Sequence, residues 1–213
     1  MAFSKHQLIS VLVVSLAAAG AALAPRVAIA PPQDAPLLVC LPAEAEPAET
    51  ALDAVQQALV GHLTRRFQIA AEPTGRIVEA AYRTAAQVGL DPLLVLAVIS
   101  VESRFNPIAE SGMGARGLMQ IIPKYHLDKL AAHGGEEAVL DPESNILVGT
   151  KILQEYVYRT GTLEAGLQTY NGASRDEYGL YSQRVLAERE RLDQAVRAAL
   201  KNRTLALNTK GAL

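Results

Sequence analysis

Apolar residues recur every three or four positions over most of the chain, which is the spacing of amphipathic helices. The first clear example runs through Leu52, Val55, Leu59 and Leu63 and predicts a helix over residues 51–68. No stretch alternates between apolar and polar residues for long enough to predict a strand. The pattern therefore predicts an all-α, compact helical fold.

A second helix is predicted over residues 77–88, where Gly89 ends it, and Pro73 and Gly75 are expected to separate it from the first. The remaining elements are a loop over 107–117, one or two helical turns over 117–123, a short helix from Thr162 to Tyr170, a loop over 171–179 and a long helix over 181–200.

Two Asp-Pro pairs, Asp91-Pro92 and Asp141-Pro142, mark further helix starts. Aspartate is a favoured N-cap residue, and proline is well tolerated at the first helical position. The helix after Pro92 is apolar on nearly every face, so we expect it to be buried. The helix after Pro142 is amphipathic and ends near Gly161.

The first 30 residues have the composition of a secretory signal, with Lys5 ahead of an apolar stretch over residues 8–24. The small-residue sequences that a signal peptidase would recognise are followed by Pro25 and Pro31, which hinder cleavage. A cleaved signal peptide and an uncleaved membrane anchor thus remain open. Both predict export to the periplasm, as a soluble protein or one tethered to the inner membrane.

The rest of the chain divides by composition. We predict a Pro/Ala/Glu linker over residues 31–50, an N-terminal helical extension over 51–73, the compact helical domain over 74–200 and a flexible tail over 201–213.

Charge and cysteine content exclude several classes of function. The net charge of -2 over 213 residues argues against nucleic acid as a partner. The single cysteine, Cys40, allows no intrachain disulfide and no cysteine-based metal site. The four histidines show no metal-ligand spacing, so we predict no metal and no cofactor.

The strongest candidate for chemistry is Glu102, which follows the apolar run over residues 93–100. Burial and the negative end of a helix both raise the pKa of a glutamate, which can then act as a general acid. Glycoside cleavage commonly uses such an acid together with a second carboxylate. Glu110 lies in a loop eight residues on, and nothing in the sequence fixes it opposite Glu102. Taken alone, Glu102 is better interpreted as a helix end that points into solvent.

Three motifs occur in order around this glutamate: residues 102–123 (ESRFNPIAESGMGARGLMQIIP), 141–153 (DPESNILVGTKIL) and 170–172 (YNG). Together they resemble the lytic transglycosylase family (SLT domain, goose-type lysozyme-like) of peptidoglycan-cleaving enzymes. The resemblance covers about residues 76–190. It implies a lysozyme-like helical domain with a groove for glycan strands.

The resemblance also implies the roles of individual residues. Glu102 would protonate the glycosidic oxygen and then accept the proton of the muramic acid C6 hydroxyl, which attacks the anomeric carbon, so no second carboxylate is needed. The hydroxyl of Tyr170 would orient Glu102. The implied substrate-binding residues are Ser111, Gly117, Met119, Gln120, Tyr170 and Asn171, although Met119 could instead fill the core.

Two segments depart from the family pattern. The stretch over residues 123–130 (PKYHLDKL) lacks the usual Thr-Ala, and the segment after Tyr170 lacks the more frequent Gly-Pro. We expect both at the edge of the groove, where they would alter substrate preference.

The sequence thus predicts an exported lytic transglycosylase that cleaves the β-1,4 bond between N-acetylmuramic acid and N-acetylglucosamine. One alternative is a hydrolytic muramidase on the same fold. The other is a non-catalytic glycan-binding or assembly protein, for example in a secretion machine of the cell envelope.

Overall fold

The structure, a computed structural model, describes residues 47–173 and 176–210, with side chains described over 53–173 and 176–204. The predicted signal or anchor, residues 31–46 of the linker, Cys40 and the last three residues lie outside the described residues. Among the helices in these ranges, none combines the length and apolar character needed to cross a membrane.

The described residues are mostly helical and contain isolated β-bridges but no strand, which confirms the all-α prediction. The helices are α1 (Pro47–Phe67), α2 (Ala71–Val88), α3 (Pro92–Glu102), α4 (Leu127–Ala131), α5 (Pro142–Thr160), α6 (Leu163–Tyr170) and α7 (Leu180–Lys210), with 3₁₀ turns at Pro123–Tyr125 and Glu136–Leu140.

The predicted helix starts are confirmed by their capping hydrogen bonds. The Asp91 carboxylate accepts a hydrogen bond from a backbone N–H of α3 at 2.9 Å, and Asp141 accepts one at the start of α5 at 2.8 Å. The hydroxyl of Thr162 accepts one from the first turn of α6 at 3.2 Å. Each cap satisfies a donor that the helix itself leaves unpaired.

Two predicted helix boundaries are wrong, one between the first two helices and one at residue 200. Pro73 and Gly75 lie inside α2, which begins at Ala71. A proline in the first turn lacks only an N–H that has no helical partner there, so it does not interrupt the helix. At the other end of the chain, α7 continues past residue 200 to Lys210, because the first glycine or proline after Gly179 is Gly211.

The helical turns predicted over 117–123 are also wrong. Residues 117–120 form a turn between Arg116 and Ile121, which pair as an isolated β-bridge. Gly117 and Gln120 have φ angles of 78° and 50°, in the left-handed region, where a right-handed helix cannot continue.

Helix α3 lies in the core and packs against both α7 and α2. Its residues 94–99 are buried, as its apolar sequence predicted. Helix α1 packs against α2 and α7, and its Leu59 and Leu63 are fully buried in the same core, so residues 51–67 do not stand apart as an extension. This packing places the C-terminal end of α3, at Glu102, near the surface.

Candidate active site

Glu102 is the last residue of α3, where the chain reverses direction sharply. Ser103 closes the helix, and Arg104 and Phe105 follow with φ angles of 53° and 66°, which non-glycine residues rarely adopt. Phe105 is 2% exposed, and its ring lies 5.1 Å from the ring of Phe67. The burial of Phe105 stabilises the reversal, which leaves the Glu102 carboxyl group half-buried at the edge of a groove.

The pKa of the Glu102 carboxyl group is raised above its ordinary value. Burial is the largest cause, because a site shielded from water disfavours the charged form. A hydrogen bond from the Tyr181 hydroxyl and the positive charge of Arg184 lower the pKa without cancelling the effect of burial. Glu102 therefore has the property expected of a general acid.

The hydroxyl that contacts Glu102 belongs to Tyr181, which corrects the role implied for Tyr170. Tyr181 lies in the first turn of α7, is 2% exposed, and donates to Glu102 Oε1 at 2.5 Å. Tyr170, at the end of α6, faces the turn over residues 117–120, and its hydroxyl donates to the carbonyl of Met119 at 2.8 Å. Tyr181 orients the acid, and Tyr170 holds the neighbouring turn.

The groove beside Glu102 has a volume of about 510 Å³. Four of the six predicted substrate-binding residues line it together with Glu102: Ser111, Gln120, Tyr170 and Asn171. These residues come from three parts of the chain and meet around one carboxyl group. A cleft with a few converging polar groups is the usual form of a small-molecule or sugar site.

The other two predicted residues, Gly117 and Met119, lie behind the wall of the groove. A Cβ atom at Gly117 would clash with the side-chain amide of Asn145, so this position requires glycine for packing as well as for its φ angle of 78°. Met119 is fully buried, and its sulfur would lie 2.7 Å from a Cβ atom at Gly149. Both residues support the wall from the inside, and Met119 is a core residue.

The turn that carries Gln120 is fixed by buried hydrogen bonds. The side chain of Asn145 is 1% exposed; it accepts from the Met119 N–H at 2.7 Å and donates to the Val139 carbonyl at 2.7 Å. Gln120, with its φ of 50°, donates from its side-chain amide to the carbonyls of Ala109 and Gly117 at 3.0 Å. A left-handed backbone at a non-glycine residue persists only when its surroundings enforce it.

The groove contains a single carboxylate among the described residues that line it, namely Glu102. Glu110 lies outside the groove, 59% exposed at its side chain, and accepts a hydrogen bond from Arg116 at 3.1 Å. Within residues 47–173 and 176–210, no three histidine, aspartate or glutamate side chains converge in a way that could hold a metal ion.

Several site residues were not predicted from the sequence. Tyr181 contacts Glu102 but does not line the groove, and the apolar spacing that predicts the last helix accounts for its buried ring but not for its hydroxyl. Tyr125, His126 and Tyr156 line the groove. For Tyr125 and His126, the only signal in the sequence was the departure from the family pattern over residues 123–130.

Comparison with known proteins assigns the domain. Residues 79–180 match the family model of the transglycosylase SLT domain. These residues form a transglycosylase SLT domain. The match includes Glu102, Gln120 and Tyr170 and ends one residue before Tyr181, the tyrosine that contacts the acid.

The SLT domain is also similar to curated proteins. It is 39% identical over 90 residues to a transglycosylase of Enterobacteria phage PRD1, which covers 42% of this chain and 32% of the phage protein. It is 38% identical over 77 residues to the membrane-bound lytic murein transglycosylase C of Yersinia pestis (strain Pestoides F), covering 33% of this chain and 22% of that protein. The chain thus matches about a third or less of the length of these relatives.

Among solved structures, the chain is similar to an inactive mutant of the lytic transglycosylase Slt from Pseudomonas aeruginosa. The TM-score is 0.50 at 22% identity, over 56% of this chain and 24% of that chain. The likeness confirms the lysozyme-like helical fold.

Proposed function

We propose that this protein is a peptidoglycan lytic transglycosylase that cleaves the β-1,4 bond between N-acetylmuramic acid and N-acetylglucosamine, with Glu102 as its acid and then its base. The observation that carries the proposal is the combination of a raised pKa at Glu102 with the absence of another carboxylate among the described residues that line its groove. The names of the curated relatives, a transglycosylase and a lytic murein transglycosylase, agree with it.

In this mechanism Glu102 first protonates the glycosidic oxygen while the bond from the anomeric carbon to that oxygen breaks. The resulting carboxylate then removes the proton of the muramic acid C6 hydroxyl, whose oxygen bonds to the anomeric carbon. The products are a free 4-hydroxyl on N-acetylglucosamine and a 1,6-anhydro end on the muramic acid. No water is consumed, and Glu102 recovers its proton.

The neighbours of Glu102 support both halves of this cycle. Burial favours the protonated form needed for the first step. The Tyr181 hydroxyl stabilises the carboxylate formed between the steps and keeps it aimed at the groove. Glycosidases that use water generally place a second carboxyl group across the scissile bond, and Glu110, the candidate from the sequence, lies outside the groove.

The test is digestion of purified peptidoglycan, with the products identified by mass spectrometry. Wild-type protein should release 1,6-anhydro ends, whereas reducing ends would identify a muramidase and overturn the proposal. The variant Glu102→Gln should lose cleavage by at least about 10²- to 10⁴-fold while it still binds glycan. The matched control Glu110→Gln should cleave like the wild type. Loss of cleavage in Glu110→Gln would mean that a second carboxylate takes part.

We further propose that the protein acts in the periplasm, because the apolar stretch over residues 8–24 has the composition of an export signal. N-terminal sequencing of the mature protein from the membrane and soluble fractions distinguishes the two forms. A start near residue 25 or 31 in the soluble fraction indicates cleavage, and an intact start in the membrane fraction indicates an anchor.

A further inference from the structure

The groove extends beyond Glu102 along a row of aromatic rings. Tyr170, which lines the groove with Glu102, makes an edge contact with Tyr156 at 6.3 Å between ring centres. Tyr156 makes another with His126 at 6.5 Å. Tyr125 follows, 66% exposed, and lines the same groove. The groove wall therefore extends from Tyr170 through two successive ring contacts to His126.

Two charged contacts help to order the side chains at this far end. Lys129 of α4 forms an ion pair with Glu155 of α5 at 2.9 Å, which ties the segment that carries His126 to the helix that carries Tyr156. The ring of Tyr156 is also covered by the guanidinium of Arg159 at 5.0 Å. A binding wall that is fixed in advance loses little conformational freedom when a ligand is bound.

The polar groups at this end are open to a ligand. Nearby side-chain hydrogen bonds join Tyr170 and Asn145 to the backbone of Met119. Among the described residues, no hydrogen bond involves the His126 imidazole or the Tyr156 hydroxyl. Burial, followed by the charge of Lys129, lowers the pKa of His126, while Asp128 and Glu155 act weakly in the other direction. His126 is thus neutral near pH 7, with one nitrogen that donates and one that accepts.

We propose that Tyr125, His126 and Tyr156 form an additional subsite that binds a neutral sugar ring of the glycan, at a distance from the bond that is cleaved. Aromatic rings present apolar faces to the C–H groups of a sugar, and free hydroxyl and imidazole groups pair with its hydroxyls. The inference rests on the proposed function. It also explains the unusual segment over residues 123–130, which places Tyr125 and His126 on the groove wall.

The subsite predicts that binding depends on glycan length. In the Glu102→Gln background, β-1,4-linked N-acetylglucosamine oligomers of increasing length are titrated by calorimetry. Affinity should rise with length until the subsite is filled. Adding His126→Ala or Tyr125→Ala should weaken binding of the long oligomers by about three- to tenfold and leave the shortest unchanged. His126→Phe, which keeps the ring, should recover part of the loss.

Matched controls are Tyr158→Ala, which removes an 88% exposed tyrosine of α5, and His133→Ala, both outside the groove. Equal loss at every length, or no loss with either His126→Ala or Tyr125→Ala, would overturn the subsite. Because Tyr125 is exposed, its variant tests the idea even if His126→Ala proves unstable.

Cleavage by the wild type is measured separately, so the two proposals fail separately. Length-dependent binding without anhydro products would reject the catalytic proposal and keep the subsite. Anhydro products with unchanged length dependence in His126→Ala would reject the subsite alone.

Discussion

Two glutamates are withdrawn from water in this domain, and their pKa values move in opposite directions. Glu188 on α7 is 3% exposed. Burial is the largest influence on it and opposes ionisation, but hydrogen bonds and charges from Arg66 and Arg191 outweigh burial and lower the pKa. At Glu102 burial is again the largest influence, but it is opposed only by the Tyr181 hydroxyl and by exposed Arg184, so the pKa is raised.

The difference shows that burial alone does not make a general acid. Arg66 of α1 donates to both oxygens of Glu188, and Arg191 adds a hydrogen bond at 3.0 Å, so this carboxylate stays ionised and ties α1 to α7. Tyr181 contacts one carboxyl oxygen of Glu102, and no hydrogen bond from a described residue engages the other. Paired arginines make a buried carboxylate structural, and a single neutral donor leaves it able to carry a proton.

Among changes to the neighbours of the two glutamates, the largest effect is expected when the neutral donor to Glu102 is removed. Tyr181→Phe loses the hydrogen bond to Glu102, and kcat/KM for peptidoglycan should fall by about 10- to 100-fold, the value of a hydrogen bond to a charged group. Because that hydrogen bond lowers the pKa of Glu102, its loss raises the pKa further. The acid is active when protonated, so the decline of kcat/KM on the alkaline side should move to higher pH.

A purely structural role for Tyr181 would lower activity without moving the pH profile. The matched control is Tyr178→Phe, which changes a 76% exposed tyrosine outside the groove and should leave both rate and profile unchanged. A Tyr181→Phe profile that coincides with that of the wild type would contradict the assignment of Tyr181 as the residue that positions and tunes Glu102.

At Glu188 the corresponding change should affect folding. Glu188→Gln removes the charge that pairs with Arg66 and Arg191, and the free energy of unfolding at pH 7 should fall by about 1–2 kcal/mol. The folded-state pKa of Glu188 is lowered, so its contribution is present above the unfolded-state pKa and is lost as pH falls through the folded-state value. Denaturant unfolding should therefore show a difference at pH 7 that disappears in acid. Glu190→Gln, on the exposed face of the same helix, is the control; a Glu188→Gln deficit that persists in acid would refute the ion-pair explanation.

The fold could be predicted from the sequence where local interactions decide it. The caps at Asp91, Asp141 and Thr162 act within one helical turn, so spacing and residue type are enough to locate them. The turn over residues 117–120 could not be predicted in this way, because the left-handed angle of Gln120 is enforced by Asn145 and Tyr170 from other helices.

The candidate site likewise contains one residue that local sequence could predict and one that it could not. Glu102 could be proposed because the apolar run that buries it is adjacent in sequence. Its partner Tyr181 lies 79 residues away, and no local pattern distinguishes a core tyrosine from one whose hydroxyl reaches an acid. The family motif suggested Tyr170 instead. A motif predicts which residues lie near the groove, but it does not predict which hydroxyl donates to which oxygen.

The opposite pKa shifts also predict opposite stability effects at the two glutamates. The folded-state pKa of Glu102 is raised, so its contribution to stability is fully present below the unfolded-state pKa and is lost as pH rises through the folded-state value. Glu102→Gln should thus be at least as stable as the wild type at pH 7, and its advantage should vanish in acid. Denaturant unfolding at both pH values measures this; a variant less stable at pH 7 than in acid, relative to the wild type, would mean that Glu102 is held as a stabilising carboxylate like Glu188.

The smallest effect is expected at Arg184, whose charge lowers the pKa of Glu102 only weakly. Arg184 is exposed on α7, with its guanidinium 5.8 Å from the ring of Tyr181, and its charge is the last of the influences that lower the pKa of Glu102. Arg184→Gln should move the alkaline limb of kcat/KM to higher pH, by less than Tyr181→Phe does. Because an exposed charge is screened by salt, the shift should shrink as ionic strength rises. Arg203→Gln, exposed near the far end of the same helix, should shift nothing. A salt-independent shift in Arg184→Gln would instead place this arginine in direct contact with the carboxyl group or the substrate.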